Sequence, residues 1–227
     1  MNQAMRIFGA LVLLGLAAGP ARGGQISGRV RVVGNAERSP SVLIIYAEAL
    51  DARPPMQRKR YQLLQKNKSF VPRVLAVPVG SSVEFTNEDL IFHNVFSLSP
   101  PKPFDLGLYR AGASKSRIFM EPATYRVFCN IHPQMTGVLL VLATPYITEA
   151  DASGAYRLEL PPGRYRVTAW SERAQPATQE ITVSSGAVTV PELVLDESKF
   201  VELPHKNKFG QDYSKSAYDP LRDKKPQ

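Results

Sequence analysis

The chain has a single cysteine, Cys129, with three histidines and one tryptophan in 227 residues. A lone cysteine excludes an internal disulfide, so Cys129 is a buried bystander, an intermolecular link or a metal ligand. Long apolar runs are scarce too. The longest covers residues 7–18 and falls short of the ~20 residues that span a bilayer. After it, no stretch carries sustained helical periodicity with start and stop signals, which makes the chain all-β. No basic stripe is interleaved with aromatics, so nothing argues for nucleic acid.

What the amino terminus does have is the pattern of an export leader. Arg6 precedes the apolar run, and Ala21 and Gly23 place small residues before a cut at Gly24. Residues 1–23 are therefore read as a signal peptide, the mature chain as periplasmic or otherwise exported, and that chain as lacking a membrane span. Losing Arg6 and Arg22 leaves 26 basic against 20 acidic residues, a net of +6. Such a charge can bias docking toward an acidic partner, and otherwise reads as a solvated basic surface.

The 19 prolines and 15 glycines are scattered, as many turns between short strands require. Residues 24–50 hold two leading strands, one alternating and one continuously apolar around Val42, Leu43, Ile44 and Ile45. Residues 51–62 are polar and read as an exposed linker. Residues 63–144 form the larger β-unit, with Pro72 and Pro78 marking an edge strand, residues 100–112 a long turn-rich segment, and 138–142 a fully apolar strand. Residues 145–196 carry turn signals at short spacing, as in a small antiparallel sandwich. Four strands there, the last over 188–195, are thin for an independent core. Residues 197–227 are polar and expected to be disordered or to wrap.

The chemistry concentrates in Cys129-Asn-Ile-His132-Pro-Gln-Met135-Thr-Gly137. A thiolate, an imidazole and a thioether on one short loop are a soft ligand set that suits copper in both oxidation states. A second imidazole must come from His93 or His205. His205 follows Pro204 in the polar tail, where little would fix it. His93 sits in an apolar strand and is the better candidate, because a rigid strand supplies the preorganisation that coordination needs.

The layout Phe85-x-Asn87-x-Asp89, His93-Asn94-Val95 and Cys129-x-x-His132-x-x-Met135 resembles the cupredoxin family, with the short ligand loop of amicyanin. More broadly, residues 26–195 resemble periplasmic methylamine-utilisation-type cupredoxin proteins with a carboxypeptidase-regulatory-like segment. That segment is matched by Asp151-x-Ser-Gly154 and Leu160-Pro-Pro-Gly163-x-Tyr165. The resemblance implies a Greek-key β-sandwich plus a small Ig- or transthyretin-like β-sandwich. It implies one mononuclear type 1 copper site, with His93, Cys129 and His132 as strong ligands and Met135 as the weak axial one. Asn94 would tie the His93 strand to the cysteine loop. Where the family has an acidic residue after the second His and an aromatic before the Met, this chain has Pro133 and Gln134. Amicyanin-like loops also have proline before that His, whereas Ile131 keeps its N–H, so an additional hydrogen bond to sulfur is expected.

The function expected is single-electron transfer between redox protein partners, the chain being taken as a monomer and as no enzyme. A binuclear copper centre needs a second bridging cysteine, and a copper oxidase or nitrite reductase needs further histidines. The alternative is copper delivery with the same ligands. Residues 25–50 are further expected to complete the sandwich of residues 145–196, with the copper unit inserted between them.

Overall fold

The computed structural model describes residues 23–34, 39–202 and 204–213, so the expected leader over residues 1–23 lies, but for Gly23, outside the described residues. Seventeen strands and no helix occur among the described residues. The chain opens with β1 (Gly24–Val33) and β2 (Ile44–Ala49). Then come β3 (Arg60–Lys66), β4 (Ser69–Val71), β5 (Val74–Pro78), β6 (Ser82–Asn87), β7 (His93–Ser97) and β8 (Phe104–Tyr109). β9 (Ser114–Ile118), β10 (Ala123–Phe128) and β11 (Thr136–Leu142) complete the middle of the chain. β12 (Ile147–Glu149), β13 (Ala155–Leu160), β14 (Gly163–Trp170), β15 (Ala177–Val183), β16 (Gly186–Thr189) and β17 (Leu193–Asp196) close it.

β3 to β11 form a β-sandwich of two sheets, ordered β5-β11-β10-β7-β8 and β4-β3-β6-β9. Strand periodicity explains the layering. In β6, Val83, Phe85 and Asn87 are buried and alternate with Ser82, Glu84 and Thr86. The inward side chains of both sheets share one core, including Leu63, Val83, Phe85, Val95, Tyr125, Val127 and Leu139. Each such aliphatic or Phe side chain contributes roughly 1.5–3 kcal/mol on burial. β5 is an edge strand, parallel to β11, which is where Pro78 is tolerated, while Pro72 lies just before it.

β1 and β2 pair with strands from the far end of the chain. β1 runs antiparallel to β13 and parallel to β16 and β17, and β2 lies between β12 and β14. Ile26, Val30, Ile45, Val167, Leu193 and Leu195 fill the core between these strands. The apolar run of β11 now has a cause. Leu139 and Val141 face the first core, while Val138, Leu140 and Leu142 pack with Ile44, Val74 and Trp170 in a third cluster. This strand is covered on both faces because one sandwich rests on the other. An Arg73–Glu172 ion pair, with an Nη1···Oε2 distance of 3.0 Å, crosses the same junction.

Several expectations are corrected. The polar stretch 51–62 is not all linker: β3 begins at Arg60, pairing with Ser82 of β6, and only alternate residues of β3 are buried. The turn-rich segment 100–112 contains β8, whose signal is masked by prolines and by Gly107 at φ 70°. The strand expected over 188–195 is two strands. β16 pairs with residues 24–27 and β17 with residues 30–33, and Pro191 lies at the break.

Gly154 joins the turn before β13 to β1. At φ 80° a β-carbon there would lie 2.1 Å from the Val30 carbonyl oxygen. Gly112 has a similar φ of 73° but open space around it. Gly154→Ala should therefore cost more than about 2 kcal/mol in urea unfolding, and Gly112→Ala only about 1 kcal/mol. Equal losses would mean that backbone conformation alone, and not the contact with β1, sets the cost.

Candidate metal centre

β7 is buried along its whole length and presents His93 and Asn94. β10 delivers Cys129, and the segment to β11 turns back at once. The Met135 N–H donates to the His132 carbonyl (2.9 Å) and the Cys129 N–H to the Met135 carbonyl (3.2 Å). These bonds close the loop over Cys129, which is fully buried. His93 is fully buried as well, His132 half-buried, and Met135 buried in the same core as Cys129.

The structure brings three donor atoms together. Cys129 Sγ lies 3.7 Å from His93 Nδ1 and 3.6 Å from His132 Nδ1, and the two nitrogens are 3.2 Å apart. Donors bonded at about 2.0–2.3 Å to one first-row ion, in trigonal to tetrahedral geometry, are themselves roughly 3.1–3.8 Å apart. The triangle is thus sized for a single ion, and the His93–Cys129–His132 set is able to hold one.

His93 is aimed by its other nitrogen. Nε2 lies 2.7 Å from Asp89 Oδ2, so the ring donates there and leaves Nδ1 for the metal. Asp89 is itself fixed by the β3–β4 turn: the N–H groups of Asn67 and Lys68, at φ 52° and 54°, donate to its two oxygens at 2.6 and 2.8 Å. Burial pushes the Asp89 carboxyl up. The bonds from Lys68, His93 and Asn67 outweigh burial and hold it below the usual carboxylate range. Asn87 shapes the intervening loop, accepting from the Asp89 N–H (3.0 Å) and donating to the Ile91 carbonyl (2.8 Å).

The sulfur is surrounded by backbone donors. The Asn94 N–H points at it from 3.5 Å, and the N–H groups of Ile131 and His132 also donate to it. Burial pushes the Cys129 thiol up, and these three donors pull against that shift. A bound cation would deprotonate the thiol outright. The Asn94 side chain accepts from the Asn130 N–H (3.4 Å) and donates to Asp105 (2.7 Å), linking β7, the loop and β8.

Ile131 projects its side chain outward, 47% exposed. The Pro133 carbonyl accepts a 2.6 Å hydrogen bond from His205 Nε2. His205 is thus outside the donor triangle, and its ring stacks on Phe128 with centroids 4.0 Å apart. Sequence reasoning gave Asp89, Asp105 and Lys208 no role at the site. For Asp89 the available signal was a carboxylate four residues before His93. For the other two there was none, because their contacts come from distant segments.

The fold and site define an all-β protein whose first sandwich carries a candidate His-Cys-His metal group. No protein-family profile matches the chain, and neither does any curated protein. Among solved structures it is similar to the copper-containing nitrite reductase of Thermus scotoductus SA-01, at 27% identity and TM-score 0.36. That match covers 42% of this chain and only 25% of the reductase. The purple cupredoxin of Nitrosopumilus maritimus matches at 26% identity and TM-score 0.34, over 36% of this chain and 99% of its own. A reduced amicyanin variant matches at 20% identity and TM-score 0.35, over 43% and 99%.

Proposed function

We propose that this is an exported blue-copper electron carrier. Its one mononuclear type 1 site would be held by His93, Cys129 and His132, with Met135 as weak axial ligand. The observation that carries the reading is the buried triangle of one thiol and two imidazole nitrogens, sized for one ion. Bound copper would supply a one-electron couple between its two oxidation states. The protein's own residues supply the rest. β7 and the closed loop hold the donors still, and full burial of His93 and Cys129 keeps water away. Half-buried His132 gives a path toward a redox protein partner, whose docking face would include exposed Gln134, with buried Pro133 behind it. The leader pattern of residues 1–23 supports export, and no helix among the described residues is long and apolar enough to cross a membrane. We read the two sandwiches as two domains, the second a binding or spacing unit.

Copper delivery is the competing reading. It requires donors that an acceptor can reach, and two of the three here are fully buried. The test is repeated oxidation and reduction of the copper-loaded chain beside a strong copper(I) chelator. Retention of copper through the cycles is expected; stoichiometric loss in the reduced state would favour delivery.

Hydrogen bonds to the sulfur stabilise the more electron-rich reduced thiolate and raise the potential. Ile131→Pro removes one of them. A lost bond of about 0.5–1.5 kcal/mol converts, at 59 mV per tenfold, to a fall of roughly 20–60 mV. Voltammetry checks this, and an unchanged or raised potential would contradict it.

A further inference from the structure

The far end of the chain lies on the metal loop. Residues 204–213 follow the last strand by several residues, yet they touch the loop at both ends. His205 Nε2 donates to the carbonyl of Pro133, between His132 and Met135 (2.6 Å). The Lys208 N–H donates to the side chain of Asn130, next to Cys129 (3.0 Å). Lys208 Nζ reaches Asp105 at 2.9 Å, and Asp105 in turn holds Asn94, whose own N–H points at the Cys129 sulfur. The His205 ring lies flat on Phe128, the residue before Cys129, with 17° between planes.

This segment has internal order of its own. Asn207 accepts from Phe209 and Gln211 through its side chain, at 2.9 and 3.0 Å, and its N–H donates to the Gln211 carbonyl at 2.8 Å. Gly210, at φ 75°, permits the turn. Lys208 is thereby held at a fixed place and is not a freely swinging surface lysine.

We propose that residues 204–213 are a clamp on the metal loop, with His205 and Lys208 as positioning residues that fix Asn130 and Pro133 on either side of His132. The loop spans seven residues between β10 and β11 and carries Cys129, His132 and Met135. Two internal backbone bonds close it, and the clamp adds two more from outside, together with a stacked ring. The inference deepens the copper reading and rests on it only in taking this loop as the metal loop. The clamp itself is a property of the metal-free protein.

The test compares the full-length chain with the His205→Ala/Lys208→Ala double variant. Lys206→Ala serves as a control, because Lys206 Nζ pairs with Asp212 inside the segment and not with the loop. Amide hydrogen exchange is followed in the metal-free proteins, alongside thermal unfolding. The double variant loses the His205–Pro133 bond, the ring stacked on Phe128 and the Lys208 Nζ–Asp105 bond, and keeps the Lys208 N–H to Asn130. This is expected to speed exchange of the amides of residues 130–136 about tenfold, with core amides and the unfolding midpoint unchanged and the control silent. In the copper-loaded proteins, copper release to a chelator should accelerate by a similar factor in the double variant alone. Unchanged loop exchange would overturn the clamp, and so would equal acceleration across the whole sandwich. If copper gives no visible band in any of the proteins while loop exchange still responds, the copper reading fails and the clamp stands. If the band forms and loop exchange is unmoved, the reverse holds.

Discussion

Cys129→Ser should abolish the visible thiolate-to-copper absorption completely and weaken copper binding by more than about 100-fold. That is beyond the range lost when only a residue behind a ligand is changed. The reasoning is compositional as well as geometric. Cys129 is the only sulfur in the donor triangle, since the chain has no other cysteine. A serine oxygen is harder and cannot replace the charge-transfer donor. Because Cys129 is fully buried in the core, Ser at this position also buries a hydroxyl, so unfolding should be measured beside the spectrum. His205→Ala gives the contrast. It removes a histidine that stacks on Phe128 outside the triangle, so the colour should persist. Loss of the band in His205→Ala but not in Cys129→Ser would invert the ligand assignment.

The second large effect is expected at Asp89. Its carboxylate takes the Nε2–H of His93 and is held in turn by two N–H groups of the β3–β4 turn. Removing it frees the ring to rotate, and it strips the basicity that a carboxylate lends to the ligand nitrogen. Asp89→Ala should weaken copper binding toward the upper end of a 10–100-fold range, and Asp89→Asn, which keeps an acceptor but no charge, about tenfold. Competition against a chelator of known affinity measures both. Wild-type affinity in the alanine variant would show that burial alone orients His93.

These two residues also mark how far the sequence could be read. The loop from Cys129 to Met135 is legible because its candidate donors are adjacent and their types rare in this chain. β6 and β13 are legible through alternation or turn signals, and β11 through its continuous apolar run. What the run could not say is why both faces are covered, because Trp170 and Ile44 reach it from the other sandwich. The pairing of β1 with β13, β16 and β17, and of β2 with β12 and β14, was signalled by two leading strands at one end of the chain and a four-strand unit too thin for its own core at the other. Asp89 was visible as a residue but not as a partner: its contact with His93 depends on how the 88–92 loop folds under Asn87. β8 was hidden because prolines and Gly107 resemble a turn while Phe104 and Tyr109 alone carry its burial. Residues 204–213 were least legible. Their composition is that of a solvated tail, and only specific bonds to Pro133 and Asn130 place them on the metal loop.

The most direct test of the central claim is a copper(II) titration of the unmodified chain, followed by its visible spectrum. An intense thiolate-to-copper band that grows in step with added metal and saturates at one copper per chain is the predicted result. A protein that stays colourless, or a band that saturates at another stoichiometry, would contradict a single copper centre built on His93, Cys129 and His132.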